Sequence, residues 1–221
     1  MQLPIVNTFY KDGYKLALDN AKALSKVSDN AAEMNEYGIA CSLNILAAEE
    51  LIKAVVILTK NYQPQMDSKD FTDIFKSHNK KHKAILVVTF LSKYFIDFIC
   101  STYEENKLYF DTVDELPKEE SDKIKKKYRH FYKIIESVKR DKRDTYSFDD
   151  AMKWWTGANL LKNMGFYVDI IGDKWHNPRN YTKKQFEIER QYTKDLILNV
   201  ETFNNLFYPM KLIRELKNIK H

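Results

Sequence analysis

The sequence has 221 residues, of which 44% are hydrophobic and 30% charged, an ordinary globular composition that allows a buried core. Gly and Pro number five each, so few turns are marked, which argues against a protein of many short strands and favours long helices. The net charge is +5, and its uneven distribution along the chain matters more than its size.

No export, membrane or metal pattern is evident. Cys41 and Cys100 lie in separate apolar runs without metal-ligand spacing, as expected for buried thiols in a reducing compartment. The N-terminal segment has no signal-peptide pattern. The most apolar stretch, residues 84–100, contains Lys93 and Asp97, so we predict a buried helix and not a membrane span. We therefore expect a cytoplasmic protein without metal or cofactor.

The predicted elements are mainly long helices. The first covers about residues 10–27 and is ended by Ser28–Asn30, because Asn30 with Glu33 resembles the capping box of a second helix reaching about Lys60. A short helix near Phe71 precedes one of about residues 78–103. Residues 106–117 are predicted to be a polar connection, and residues 118–140 a basic helix.

The last third of the chain contains one interruption. Ser147 with Asp150 marks the start of a helix that ends at Gly165, and Thr182 with Gln185 marks the start of the last helix, to about Leu212. Between them, residues 165–180 form a short irregular or extended segment. We predict a single all-α domain, residues 1–221, built as a bundle of six or seven helices.

The second helix carries charges in an apolar sequence. In residues 43–58, LNILAAEELIKAVVIL, the polar residues are Asn44, Glu49, Glu50 and Lys53, and helical spacing lets the last three meet on one side. Buried charge is costly, so two interpretations stand. Either the charges form a structural ion pair, or they line a polar cleft that has a function.

Residues 75–83, FKSHNKKHK, form the second candidate. His78 and His82 are four residues apart and share a helical face at its N-terminal end. A metal site would need further ligands that are not apparent. A surface helix start is the plain alternative, and a catalytic or phosphate-binding histidine assisted by Lys81 and its neighbouring lysines is the functional one.

The interrupting segment is the third candidate. Tyr167 and Asp169 are two residues apart on extended chain, so their side chains share one side, and Trp175 follows. A loop held to the bundle by its aromatic residues is the alternative interpretation.

Residues 123–143 are strongly basic with interleaved aromatic residues, a pattern that can neutralise phosphates. A solvated helix face is the alternative. If the stretch binds RNA, the predicted contacts are Lys125, Lys126, Lys127, Arg129, Lys139 and Arg140.

Three of these stretches, in this order and spacing, resemble the AbiV family of abortive-infection proteins. They are residues 45–53 (ILAAEELIK), residues 75–81 (FKSHNKK) and residues 162–169 (KNMGFYVD) followed by Trp175 and Pro178. The resemblance covers about residues 15–185. It implies a HEPN-like helical bundle and a phage-defence effector that stays dormant until a phage-encoded activator protein triggers it and then arrests translation.

The HEPN resemblance further implies a homodimer and metal-independent cutting of RNA, in which a histidine acts as general acid or base. The usual signature, an Arg followed four to six residues later by a His, precedes none of the five histidines. A ribonuclease would then need a composite site, for which we predict Glu50, Lys53, His78, Lys81, Tyr167 and Asp169. Two alternatives remain: a non-enzymatic RNA- or protein-binding inhibitor of the translation apparatus, and a helical assembly module whose charges set the register of a dimer.

Overall fold

The computed structural model describes residues 8–62, 68–129, 132–133, 136 and 148–203. The helices there are α1 (Thr8–Glu33), α2 (Tyr37–Tyr62), α3 (Ser68–Lys76), α4 (His78–Glu105), α5 (Lys107–Glu115), α6 (Lys118–Lys127), α7 (Phe148–Phe166) and α8 (Lys183–Phe203). A hairpin of β1 (Asp169–Ile171) and β2 (Lys174–His176), then a 3-10 turn (Pro178–Asn180), separate α7 from α8. The all-α class and the extended segment near 165–180 are confirmed.

The chain divides into two compact units, one from residues 1–89 and 148–200 and the other from residues 90–147 and 201–221. The prediction of a single domain stays a prediction. All residues of the candidate site described below belong to the first unit.

The first helix is longer than predicted, and the cap predicted at Asn30 is wrong. α1 continues through this stretch because its polar residues have distant partners: the Ser28 hydroxyl donates to the Ala40 carbonyl over 2.7 Å, and Asp29 accepts two hydrogen bonds from Arg190. The helix ends instead before Asn35, whose φ of 62° lies in the left-handed region that Asn tolerates.

The second helix is central, as predicted. It packs against α1, α3 and α7, and its apolar residues are fully buried on several sides, among them Ile45, Ala47, Ala48, Leu51 and Ile52. A helix that is apolar nearly all round needs such neighbours on more than one face.

Helices α2 and α7 approach each other unusually closely at two glycines. A Cβ atom on Gly165 would overlap the Ser42 hydroxyl and the Gly38 carbonyl oxygen, and one on Gly38 would lie 2.5 Å from the Pro178 carbonyl oxygen. One turn before Gly165, the Lys162 carbonyl accepts a hydrogen bond from the Ser42 hydroxyl over 2.7 Å. This crossing fixes where the Lys162 side chain begins.

Helix α8 begins at the predicted capping box. The Gln185 backbone N–H donates to the Thr182 hydroxyl, and the Gln185 side-chain oxygen accepts from the Thr182 backbone N–H. The helix is held to α1 by the Asp29–Arg190 pair and by the Tyr14 hydroxyl, which donates to the Val200 carbonyl. The predicted N-cap Ser147 and the last helix beyond residue 203 lie outside the described residues.

A buried acid lies where α8 packs on α2. Glu189 is 3% exposed, Trp154 donates one hydrogen bond to it over 3.2 Å, and its second oxygen has no described hydrogen-bond partner. Burial raises the pKa of Glu189 to about 7, against the lowering effect of hydrogen bonds from Cys41 and Trp154. The carboxyl group therefore keeps its proton in the folded protein well above its ordinary pKa.

Replacing this acid is expected to change how stability depends on pH. Because the folded pKa of Glu189 exceeds the unfolded value of 4.5, the folded state binds more protons between these values, so stability falls as pH rises through them. Glu189→Gln should remove this loss and stabilise the protein at pH 8 by about 3 kcal/mol. Urea unfolding of both proteins at pH 5.5 and pH 8 measures this, and an equal gain at both pH values would contradict it.

In the second unit, residues 107–115 form helix α5 where a polar connection was predicted. The prediction was wrong because Phe110 and Val113, three residues apart, bury one face of the segment, and the Phe110 ring stacks on Tyr103 with 5.1 Å between centroids. The predicted basic helix is interrupted and not continuous: α6 ends at Lys127, and after a turn at Tyr128 the described residues 129, 132, 133 and 136 are again helical. On α4, Tyr94 and Phe98 are exposed, so the predicted burial of residues 84–100 holds only in part.

Candidate functional site

Four basic side chains converge on one carboxylate, that of Glu49 in the middle of α2. Its side chain is 2% exposed. One oxygen, Oε2, lies 2.6 Å from His78 Nδ1 and 3.1 Å from Lys81 Nζ. The other, Oε1, lies 2.9 Å from Lys162 Nζ and 3.1 Å from His82 Nε2. We call these five residues the Glu49 cluster.

Three helices supply the Glu49 cluster. His78, Lys81 and His82 lie at positions i, i+3 and i+4 in the first turns of α4, so they share one face, which is turned towards α2. Lys162 comes from the last turns of α7, and the close crossing at Gly165 brings its backbone against α2. The cluster thus depends on helix packing and not on one local motif.

The electrostatic balance of the cluster is positive. Burial alone raises the pKa of Glu49, but hydrogen bonds from His82, Lys162 and Lys81 outweigh it and hold the pKa well below its usual range. Glu49 is therefore ionised at neutral pH. One carboxylate faces the ammonium groups of Lys81 and Lys162, so the cluster carries excess positive charge even when both histidines are neutral.

His78 is the member of the Glu49 cluster with substantial solvent access, since 53% of its side chain is exposed. We assign the ring proton to Nδ1, because the ionised Glu49 oxygen at 2.6 Å can only accept. Lys162 Nζ lies 3.1 Å from the same nitrogen, which then has no free lone pair, so Lys162 donates to Glu49 Oε1 and not to the ring. No described residue contacts Nε2, which is left to accept or give a proton. A histidine ring oriented by a buried carboxylate is a common arrangement for general acid–base catalysis.

The second histidine is buried. His82 is 8% exposed, and its Nδ1 has no hydrogen-bond partner among the described residues. Its described contact is the one from Nε2 to Glu49, so we infer that His82 positions the carboxylate and does not reach a substrate.

The structure brings some of the predicted site residues together and leaves others apart. His78 and Lys81 lie in the cluster. Glu50 instead forms an ion pair with Lys53, three residues along α2. Tyr167 is 64% exposed and packs against the Phe166 ring. The backbone of Asp169 begins β1, and its side chain lies outside the described part of the chain.

The sequence named Glu49 and His82 within candidate stretches, but the predicted composite site contained Glu50 and left out Glu49, His82 and Lys162. Glu49 and Glu50 are adjacent, and spacing placed both within reach of Lys53, so it did not decide between them. For Lys162 a signal was present: a lysine one turn before a helix-terminal glycine, Gly165. His82 was visible as the i+4 partner of His78.

The predicted RNA-binding residues lie in and near α6. Lys125 pairs with Asp114 over 2.6 Å, while Lys126, Lys127 and Arg129 are exposed. Lys127 also lies over the Tyr128 ring, 5.3 Å from its centroid. The predicted contacts Lys139 and Arg140 lie outside the described residues.

Within the described ranges, no group of three or more His, Cys, Asp and Glu side chains is arranged to hold a metal ion. In the Glu49 cluster, each carboxylate oxygen already contacts a lysine ammonium group, Oε2 that of Lys81 and Oε1 that of Lys162. None of the described helices has the length and hydropathy needed to span a bilayer.

Comparison with known proteins assigns the chain to a family. A family model of the HEPN type, described as AbiV, matches residues 9–198. No curated protein and no solved structure matches the chain. Since the match covers most of the sequence, the chain belongs to the AbiV family of HEPN-type abortive-infection proteins.

One further sequence feature concerns the HEPN signature. When the spacing is counted as intervening residues, six residues separate Arg214 from His221, so this pair does fit. Both residues lie outside the described part of the chain and beyond the matched residues 9–198. On the sequence alone, this pair is therefore an alternative to the Glu49 cluster as the candidate catalytic site.

Proposed function

We propose that the protein is a phage-defence effector, dormant until a phage-encoded protein triggers it, that arrests translation by cutting RNA as a metal-independent HEPN-like ribonuclease. The observation that carries the proposal is the half-exposed His78, held by an ionised and buried Glu49 among basic groups. The proposed partners are RNA, the phage activator and a second copy of the chain. The proposed compartment is the cytoplasm.

In the proposed reaction, His78 Nε2 takes the proton from the attacking hydroxyl group and returns a proton to the leaving oxygen. Glu49 orients the ring through Nδ1 and stabilises the protonated imidazole that forms between these steps. The positive charge of Lys81 and Lys162 keeps Glu49 ionised and favours an anionic substrate near His78. Lys81 and Lys162 are buried, so they act as positioning residues.

The donor set supports chemistry without a metal. A divalent cation needs carboxylate or imidazole lone pairs, yet the Glu49 oxygens already accept from Lys81, Lys162 and both histidines. Placing a cation there would also add to an excess of positive charge.

The test is RNA cleavage by purified protein, together with a phage challenge of expressing cells in which total RNA is followed. His78→Ala should lower cleavage about 10²–10⁴-fold, because the general acid–base group is lost. Lys83→Ala is the matched control, since Lys83 is exposed on the same helix. Cleavage should persist with a chelator present.

Two results would contradict the proposal. If His221→Ala abolishes cleavage and His78→Ala does not, the reaction depends on the C-terminal Arg–His pair. If His78→Ala leaves phage defence intact while Lys126→Glu with Lys127→Glu removes it, the protein blocks translation by occupancy. The exposure of Lys126, Lys127 and Arg129 favours this second candidate function.

A further inference from the structure

The β-hairpin has an apolar face directed to solvent. Ile170 and Trp175 are cross-strand partners, so their side chains lie on the same side, and Val168 precedes Ile170 by two residues. Trp175 is 74% exposed, and Val168 and Ile170 are more than half exposed. Tryptophan with this exposure is uncommon in a folded protein and indicates a contact surface. We call Val168, Ile170 and Trp175 the hairpin face.

The opposite side of the hairpin attaches it to α7 and to Tyr181. His176 is half-buried, its Nε2 lies 3.1 Å from the Met164 carbonyl of α7, and its ring meets the Tyr181 ring edge-on at 6.1 Å. Gly172, with φ of 62°, makes the tight turn between the strands. Trp175 is therefore presented by a supported hairpin and not by a free loop.

The chain around Trp175 carries more cations than acids. Arg179 and Lys184 are exposed, and neither contacts a carboxylate among the described residues. Lys174 is also exposed, but strand alternation directs it to the other side of the hairpin from Trp175. Asp173 in the turn is an exposed acid. Exposed aromatic rings beside unpaired cations are typical of surfaces that bind single-stranded nucleic acid, where rings stack on bases and cations contact phosphates.

We propose that the hairpin face binds single-stranded RNA, with Trp175 stacking on a base and the exposed cations that follow it in the chain, Arg179 and Lys184, contacting the phosphates. The inference rests on the proposed function for its ligand and gives the protein an RNA contact separate from the Glu49 cluster. The cations favour RNA over a protein partner, because an apolar protein surface would leave the positive charges of Arg179 and Lys184 without counterparts.

The hairpin face is mechanically connected to the Glu49 cluster. Both depend on α7: His176 attaches the hairpin to the Met164 carbonyl, and two residues earlier Lys162 reaches Glu49. RNA held on the hairpin would therefore be fixed relative to the helix that supplies Lys162.

The test is the affinity of the full chain for a labelled single-stranded uridine 12-mer, measured by fluorescence anisotropy in a His78→Ala background that prevents cleavage. Trp175→Ala should weaken binding about tenfold or more, because one base loses its stacking partner. Trp175→Phe should bind almost as well as the parent. Leu160→Ala, an exposed apolar residue on α7, is the matched control and should change nothing.

Unchanged affinity in Trp175→Ala would overturn the inference. If that variant keeps its affinity for RNA but loses phage defence, the hairpin face binds a protein, which also overturns it. Failure of the proposed function can be distinguished: Trp175-dependent RNA binding without cleavage by the wild type leaves this inference standing. Cleavage by the wild type together with Trp175-independent binding removes only the inference.

Discussion

Glu49→Gln is expected to abolish activity and to lower stability by about 3–5 kcal/mol, the usual cost of removing one partner from a buried ion pair. The substitution leaves the ammonium groups of Lys81 and Lys162 buried without a counter-charge. It also removes the negative charge that stabilises the protonated His78 ring and replaces one of the two accepting oxygens with an NH2 donor, so RNA cleavage should fall about 10²–10⁴-fold. Urea unfolding and RNA cleavage assays measure the two effects.

Glu50→Gln is the matched control on the same helix. Glu50 is partly exposed and pairs with Lys53, so its loss should cost less than about 1 kcal/mol and leave cleavage intact. Equal losses in the two variants would show that the Glu49 cluster has no special role.

The depressed pKa of Glu49 also predicts how the stability of the protein changes at acid pH. Its folded pKa is depressed below the ordinary value of 4.5, so its contribution to stability is fully present above that value and is lost as pH falls through the folded pKa. The wild type should therefore lose more stability than Glu49→Gln on acidification below pH 4.5.

Gly165→Ala is expected to destabilise the protein by about 3 kcal/mol and to lower activity as well. The new methyl group would overlap the Ser42 hydroxyl and the Gly38 carbonyl, so α7 must move away from α2. Lys162, one turn away, would move with it and lose its contacts in the Glu49 cluster. Thermal unfolding and cleavage assays on the same preparation measure both losses.

Gly157→Ala on the same helix provides the control. A Cβ there would lie 3.9 Å from Leu161 Cδ1, an ordinary contact, so the change should stabilise the protein by about 0.5–1 kcal/mol through helix propensity. If Gly165→Ala stabilised the protein as Gly157→Ala does, the inference that α2 and α7 cross closely at Gly165 would be wrong.

The helical class, the central position of α2 and the start of α8 could be predicted from the sequence because they depend on local patterns. The apolar run of residues 43–58 requires neighbours on several sides, and Thr182 with Gln185 is a capping box that needs no tertiary partner. The end of α1 could not be predicted in this way. Ser28 and Asp29 are residue types that often end a helix. Here their side chains bond to Ala40 and Arg190 from other parts of the chain, so α1 continues through them.

The candidate site was predictable only in part, for a geometric reason. Spacing within α4 correctly grouped His78 with Lys81. Spacing within α2 could not decide between Glu49 and Glu50, because neighbouring helical positions differ by about 100° and the direction of α4 was unknown. The contribution of Lys162 depends on how closely α7 crosses α2, which no single segment encodes.

The glycine crossing constrains how this protein can diverge. Positions 38 and 165 share one small volume with the oxygen of Ser42, so enlarging any one of them forces the others to change. In distant relatives, these three positions should therefore vary together or not at all. Substitutions there would alter the proposed acid–base centre without changing any residue of it.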